Sequence, residues 1–307
     1  MADDDAVGAA ASILGGLAER DVPLGPLTTY RVGGRASLFV RATAQPDLER
    51  VRDAVRASGV AVLVVGKGSN LLVADRGFAG LAVTLGDGFA GVDISRTGAV
   101  RAGAATSLPV LARRTAAAGL RGFEWAVGVP GSVGGAVRMN AGGHGAEMRR
   151  VLRSAVVVDL AGGRAGEVPA SELDLSYRHS NVSSTEVVAE AELRLTLGDR
   201  EAAEREIAEV VRWRREHQPG GQNAGSVFTN PPGDSAGRLI DEAGLKGFTL
   251  GSAHVSAKHA NFFQAHEGGS ADDVYALILE VRRRVAEATG VDLVPELRMI
   301  GFGDAAG

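Results

Sequence analysis

Apolar positions recur at helical spacing in three parts of the chain. Pro46 opens a run in which Leu48, Val51 and Val55 share one face, and Gly59 follows as a stop signal. Val274, Leu277, Ile278, Val281 and Val285 line one side of residues 272–288; Ser270 and Asp273 suit its start and Gly290 its end. A charged helix is predicted from Glu201 to about Glu216, with Ile207, Val210, Val211 and Arg214 at helical spacing. It ends before Pro219, and GGQN then reads as a loop.

The first helix is flanked by two strand patterns, Ser37–Arg41 and Ala61–Val65, and the second runs straight into the glycine-bearing stretch GKGSN, residues 66–70. From about 82 to 197 the texture changes to short apolar runs broken by glycine, such as LAVTLG, AVRAGAA and SAVVVDLAGG, which predicts an α+β region rich in strands. The closing run DLVPELRMIGF reads as a strand, and the first 20 residues as a loose tail.

Composition narrows the chemistry. The chain has 307 residues and is 45% apolar, enough for two or three folded domains. Its 33 basic and 37 acidic residues leave a net charge of -4 with no single-sign block, so nothing draws it to nucleic acid or to an anionic membrane. Cysteine is absent, which excludes disulfides, thiolate metal sites, a cysteine nucleophile and cysteinyl attachment of a cofactor. The acidic N-terminal stretch is unlike a signal peptide, and no apolar run approaches the roughly 20 residues that span a bilayer. A cytoplasmic protein is expected.

Residues 128–136, GVPGSVGGA, form a second glycine cluster. A Walker loop requires Gly-Lys-Ser/Thr where Gly134-Gly135-Ala136 stands, and neither cluster has the spacing of a dinucleotide fingerprint. Two readings stay open at this point: a structural turn, or a backbone-amide cradle of another kind. Each cluster lies beside a hydroxyl and an asparagine (Ser69 and Asn70; Ser132 and Asn140), so the pair would suit a pyrophosphate-bridged cofactor held from two sides.

Seven ordered blocks, TTYRVGG (28–34), VVGKGSNLLVADRGFAG (64–80), GFEWAVGVPGSVGGAVRMNAGG (122–143), LSYRHS (175–180), NAGSVFTNP (223–231), KHANFF (258–263) and VPELRMIG (294–301), resemble the UDP-N-acetylenolpyruvoylglucosamine reductase (MurB) family, in its shorter type II form. The resemblance implies an α+β chain: a two-domain FAD-binding fold of the vanillyl-alcohol-oxidase/MurB type plus a third α+β substrate-binding domain. The expected boundaries are a tail at 1–20, FAD-binding subdomains at 21–83 and at 84–198 plus 291–307, and a substrate domain at 199–290. By the same carry-over Gly66, Lys67, Gly68, Ser69 and Asn70, with Gly128, Pro130, Gly131, Ser132 and Gly135, wrap the diphosphate of noncovalent FAD.

The implied reaction carries hydride from NADPH, by way of FAD, to the enolpyruvyl methylene carbon of UDP-N-acetylglucosamine enolpyruvate. Negative charge then develops on the adjacent carbon, which needs stabilisation and a proton. The resemblance assigns Ser226 as proton donor, Arg178 as the planar fork that holds the substrate carboxylate, and Glu296 as a partner of the aci-carboxylate, itself protonated or acting through the arginine. Tyr177 and Asn230 are implied substrate contacts. The expected state is a monomer acting on that substrate and NADPH, without nucleic acid or membrane.

This chain departs from the family pattern at His144, at Gln222-Asn223 and at Gln264, each of which bears on the pocket. The histidines, including His254 and His259, lack paired spacing for a metal, and none is expected. Other readings are another FAD-dependent oxidoreductase of the same flavin fold, or a nucleotide-binding regulator without catalysis. The other oxidoreductase has no reason to carry Arg178, Ser226 and Glu296 together.

Overall fold

The computed structural model describes residues 2–303, with side chains from residue 4. Met1, at the start of the expected tail, and residues 304–307, at the end of the expected second subdomain, lie outside the described residues. Both helices and sheets build the chain, an α+β mixture. It separates into two compact units: one of residues up to 21, 37–67 and 79–213, the other of residues 22–36, 68–78 and from 214 on.

In the first unit, strand Val62–Val64 runs parallel to Phe78–Leu85, with Val62 opposite Leu81 and Val64 opposite Val83. Helix Gln45–Ser58 buries Leu48, Val51 and Val55 against Leu38, Val40, Leu81 and Val83, and Gly59 ends it at φ 68°. The expected loose tail is corrected here: Ala2–Leu14 is a helix that buries Val7, Ala10 and Leu14 in the same core. Its alanines favour helix, and those three residues recur at i, i+3 and i+7.

A second sheet of this unit is antiparallel, in the order Ala165–Pro169, Leu152–Asp159, Glu186–Arg194, Ala99–Gly103, Val92–Ile94. Helices Leu108–Ala117 and Val133–Arg138 share its core, which includes Leu111, Trp125, Val133, Val137, Leu152 and Leu193. Helix Arg200–His217 adds Ala203, Ile207 and Val210. Val211, expected in that stripe, is 40% exposed instead: with 203, 207 and 210 inward, the 3.6-residue turn carries 211 past the edge of the buried face.

The second unit holds a four-stranded antiparallel sheet in the order Asn223–Gly225, Phe262–Ala265, Ala253–Val255, Thr249–Leu250. Helix Ala271–Thr289 buries all five residues of its predicted stripe against it; Ser270 caps the start by accepting from the Asp273 amide, and Gly290 closes the end at φ 73°. The final strand, Arg298–Ile300, pairs in parallel with Leu71–Val73. This partition cuts across the boundaries expected from sequence. The C-terminal strand joins residues 68–78 and not 84–198, because its backbone partner is the segment that follows the first glycine loop.

Candidate active site

Strand Val62–Val64 delivers Gly66 and Lys67 to the rim of a cleft in the first unit, with about 590 Å³ of open space. Its walls are apolar, from Val65, Leu85, Ala105 and Val187 among others, and its polar groups include Lys67, Ser132, Arg138 and Glu186. The amides of Gly66, Lys67, Gly68 and Ser69 donate to no protein acceptor among the described residues. Gly66 and Lys67 are exposed and Gly68 and Ser69 are not, so this run of amides beside a lysine is open to an anion at one end and lacks a protein acceptor throughout. Thr106 adds a buried hydroxyl with no protein partner, on the segment that also lines the cleft through Ala105. These features fit a dinucleotide bound through its phosphates.

The second glycine cluster is differently used. The Gly131 amide donates to Val129 at 2.9 Å and its carbonyl accepts from Leu108 at 3.0 Å; Ser132 caps helix Val133–Arg138 and accepts from the Gly135 amide at 3.4 Å. Gly128 ends the 3-10 turn Glu124–Gly128, and Pro130 has no donor to give. Much of the hydrogen bonding that sequence reserved for the phosphates is therefore spent inside the protein, and Ser132, Gly134 and Gly135 contribute wall.

Gly68, Ser69 and Asn70 belong to the second unit. Gly68 sits at φ 63°, and a Cβ there would collide with the Leu27 carbonyl. Asn70 donates from Nδ2 to the Glu296 carbonyl at 3.0 Å and accepts from the Arg298 amide at 3.1 Å. The side chain of Asn70, expected at the cofactor, braces the segment that carries Glu296.

Ser226 follows strand Asn223–Gly225 and is exposed. The next residue, Val227, donates to the Asn261 carbonyl at 3.0 Å and accepts from the Glu296 amide at 2.8 Å, and Phe228 pairs with Pro295. Ser226 and Glu296 thus stand on two hydrogen-bonded backbone segments one position out of register. Asn261, 2% exposed, clamps this turn by accepting from the Phe228 amide and donating to its carbonyl. Gly225 cannot be replaced here, because a Cβ would enter the ring of Phe262. Asn230, expected at the substrate, accepts from the Ala236 amide at 3.1 Å and so supports the start of helix Ala236–Glu242.

Arg178 lies in the first unit, on a tight loop in which Ser176 and His179 exchange two backbone hydrogen bonds of 3.1 Å. Its φ of 56° is a left-handed conformation that costs a non-glycine residue on the order of 1–3 kcal/mol. The guanidinium donates to the Gly142 carbonyl at 3.2 Å and lies 5.1 Å from the ring centroid of Tyr177, which is 55% exposed.

Three further arginines were not among the site residues expected from sequence. Arg138 reaches the cleft and donates to the Ser183 carbonyl at 2.6 Å. In the second unit Arg214 and Arg298 are half-buried, and that burial pushes their guanidinium pKa values below the usual range. Arg298 stands two residues after Glu296, which is the signal that would have found it. In the cleft wall, burial raises the Glu186 pKa, but hydrogen bonds from Arg164 and the Ser183 amide outweigh it and hold the carboxyl below its usual range. Burial, more than the nearby Lys246 charge, lowers the His259 pKa, and its ring accepts from the Asn261 amide, a packing role. Among the described residues no group of three or more His, Cys, Asp or Glu side chains is arranged to hold a metal.

Residues 36–168 match a family described as FAD binding domain, and residues 217–300 match UDP-N-acetylenolpyruvoylglucosamine reductase, C-terminal domain. The UDP-N-acetylenolpyruvoylglucosamine reductase of Heliobacterium modesticaldum is 45% identical over 284 residues, covering 91% of this chain and 89% of its own; that of Acidiphilium cryptum is 45% identical and covers 92% and 91%. The crystal structure of UDP-N-acetylenolpyruvylglucosamine reductase from Thermus caldophilus superposes with a TM-score of 0.80 at 38% identity, over 92% of this chain and 98% of that one. With identity at this level across nine-tenths of its length, this chain belongs to the UDP-N-acetylenolpyruvoylglucosamine reductase family.

Proposed function

We infer that the chain is an FAD-dependent UDP-N-acetylmuramate dehydrogenase. It reduces the enolpyruvyl group of UDP-N-acetylglucosamine enolpyruvate with NADPH, in the synthesis of peptidoglycan precursors. FAD, when bound, supplies the hydride relay between the two substrates. The amides of Gly66–Ser69 would take its diphosphate, with Lys67 and Arg138 as the nearby cations and the Ser132–Gly135 turn as the wall.

The protein's own groups supply what the developing charge needs. Ser226 gives its hydroxyl proton to the carbon next to the carboxylate; an alcohol is a weak acid, but a carbanion in contact is basic enough to take it. Arg178 holds the carboxylate through its planar fork and stabilises the enolate. Glu296, protonated or acting through an arginine, completes the hydrogen bonding of the aci-carboxylate. Tyr177, exposed beside Arg178, contacts the same end of the substrate.

The observation that supports this reading best is the 2.8 Å bond from the Glu296 amide to the Val227 carbonyl, which ties together the two segments that carry the proposed donor and acid. NADPH and the UDP-linked sugar are metabolites of the cell interior, so we place the enzyme in the cytoplasm, and we propose that it acts as a monomer. The test is stopped-flow measurement of the two half-reactions. NADPH should bleach the flavin absorbance and the enolpyruvyl substrate should restore it; protein that cannot be reconstituted with FAD overturns the reading.

A further inference from the structure

Arg178 is not oriented by its own loop alone. The Gly142 carbonyl that receives its guanidinium opens a short hairpin, in which Gly142 pairs with Glu147 and Gly143 with Ala146. The connecting residues, His144 and Gly145, have φ of 50° and 78°. Two left-handed residues in succession define the turn that hairpins of this length prefer, and asparagine or glycine takes the first position at low cost. Histidine takes it here, and its ring stands edge-on to Trp213 at 5.1 Å and 86°.

The base of the hairpin is tied down independently. Asn140, fully buried at φ 38°, donates to the Ser176 carbonyl at 2.7 Å and to Glu147, and accepts from the Arg149 amide at 2.9 Å. Its bond to Ser176 joins the hairpin to the loop bearing Tyr177 and Arg178. Two residue pairs do not make a stable hairpin by themselves, so the tip needs a second anchor. Trp213, 41% exposed near the end of helix Arg200–His217, is placed to give one.

We propose that the His144–Trp213 pair is a positioning device for Arg178. By pinning the hairpin tip to the helix, it fixes the Gly142 carbonyl against which the guanidinium is set, so that the fork meets a carboxylate in one orientation. His144 and Trp213 act through Arg178 and need no contact with substrate. The proposal rests on the reading of Arg178 as the group that holds the carboxylate.

The test uses the full chain with FAD and four variants: His144→Asn, Trp213→Ala, the double variant and Trp213→Phe. His144→Asn keeps a left-handed residue and removes the ring. Without any substrate, deuterium uptake by residues 141–148 should quicken about fivefold in each ring-deleting single variant, no further in the double, and return to normal in Trp213→Phe. Strand Leu152–Asp159 should be unchanged. The Arg178 Nε–H signal, assigned with Arg178→Lys, should exchange faster in the same variants. KM for the enolpyruvyl substrate should rise about tenfold, while reduction by NADPH holds its rate.

Additive effects in the double variant, or unaltered uptake, overturn the latch. Faster uptake with an unaltered Arg178 signal overturns its link to the arginine. Wild-type enzyme that the enolpyruvyl substrate does not reoxidise sinks the functional reading instead, and the two substrate-free measurements still decide the latch.

Discussion

The side-chain amide of Asn70 donates to the backbone carbonyl of Glu296 at 3.0 Å, joining residues 226 positions apart in sequence. Replacement by alanine leaves that carbonyl without its partner, and stability should fall by about 1–3 kcal/mol, read by urea denaturation. FAD affinity should hold. A raised Kd for FAD with unaltered stability would return Asn70 to the cofactor and remove it from the brace.

Ser226→Ala should leave bleaching by NADPH nearly intact and slow reoxidation by the enolpyruvyl substrate by several orders of magnitude, since one proton transfer is lost from the transition state. Ser226 is exposed and its side chain supports no fold contact described above, so the variant should fold normally. Equal loss in both half-reactions would make the serine structural.

Arg178→Lys keeps the charge and discards the planar fork. Reoxidation should slow by about a hundredfold with little change in the NADPH half-reaction, because a point charge cannot match a carboxylate in two places. An unaltered rate of reoxidation would assign the carboxylate to another cation, and Arg214 and Arg298 are the half-buried ones to examine next.

Tyr30 is fully buried, and that burial raises its phenol pKa well above the ordinary value; the Ala224 backbone lies beside the hydroxyl and works in the opposite sense, without a hydrogen bond of normal geometry. Its neutral form is the one the fold favours. The contribution to stability is therefore complete below the unfolded pKa of about 10 and declines as pH rises past it, when the unfolded chain gains by ionising. A 13C-labelled tyrosine ring, assigned with Tyr30→Phe, should keep its neutral chemical shift in the folded protein to about pH 11. A transition near pH 10 before unfolding would contradict this.

Asn261→Ala should be the most destabilising of these substitutions, at about 2–4 kcal/mol by denaturation, because both backbone groups of Phe228 lose their partners inside a buried turn. A loss under about 1 kcal/mol would mean that water replaces the side chain.

Much of this was readable along the chain, and the reason is local. Leu48, Val51 and Val55, and the stripe from Val274 to Val285, declare their helices because one face meets a core. The helix at Ala2–Leu14 escaped because its three buried side chains, Val7, Ala10 and Leu14, sit among further alanines that blur the apolar face. The candidate catalytic groups were legible only through the blocks around them. Nothing local to Ser226 reveals that Glu296 lies along the neighbouring segment, and the left-handed backbone at Asn140, His144 and Arg178 is held by tertiary hydrogen bonds and ring contacts. The second glycine cluster shows the converse: a pattern suited to a ligand whose hydrogen bonds are largely spent on the protein itself.

The parallel pairing of Leu71–Val73 with Arg298–Ile300 has a further meaning for biosynthesis. Arg298–Ile300 is synthesised long after Leu71–Val73, so the earlier strand must wait unpaired until the later one is made. Loop closure over such a span is slow, and an open strand edge is what invites aggregation in the interval. Residues 71–73 should therefore be the stretch most in need of chaperone cover in the nascent chain, and loss of the last strand should leave a ribosome-released product whose first unit is complete and whose second is not.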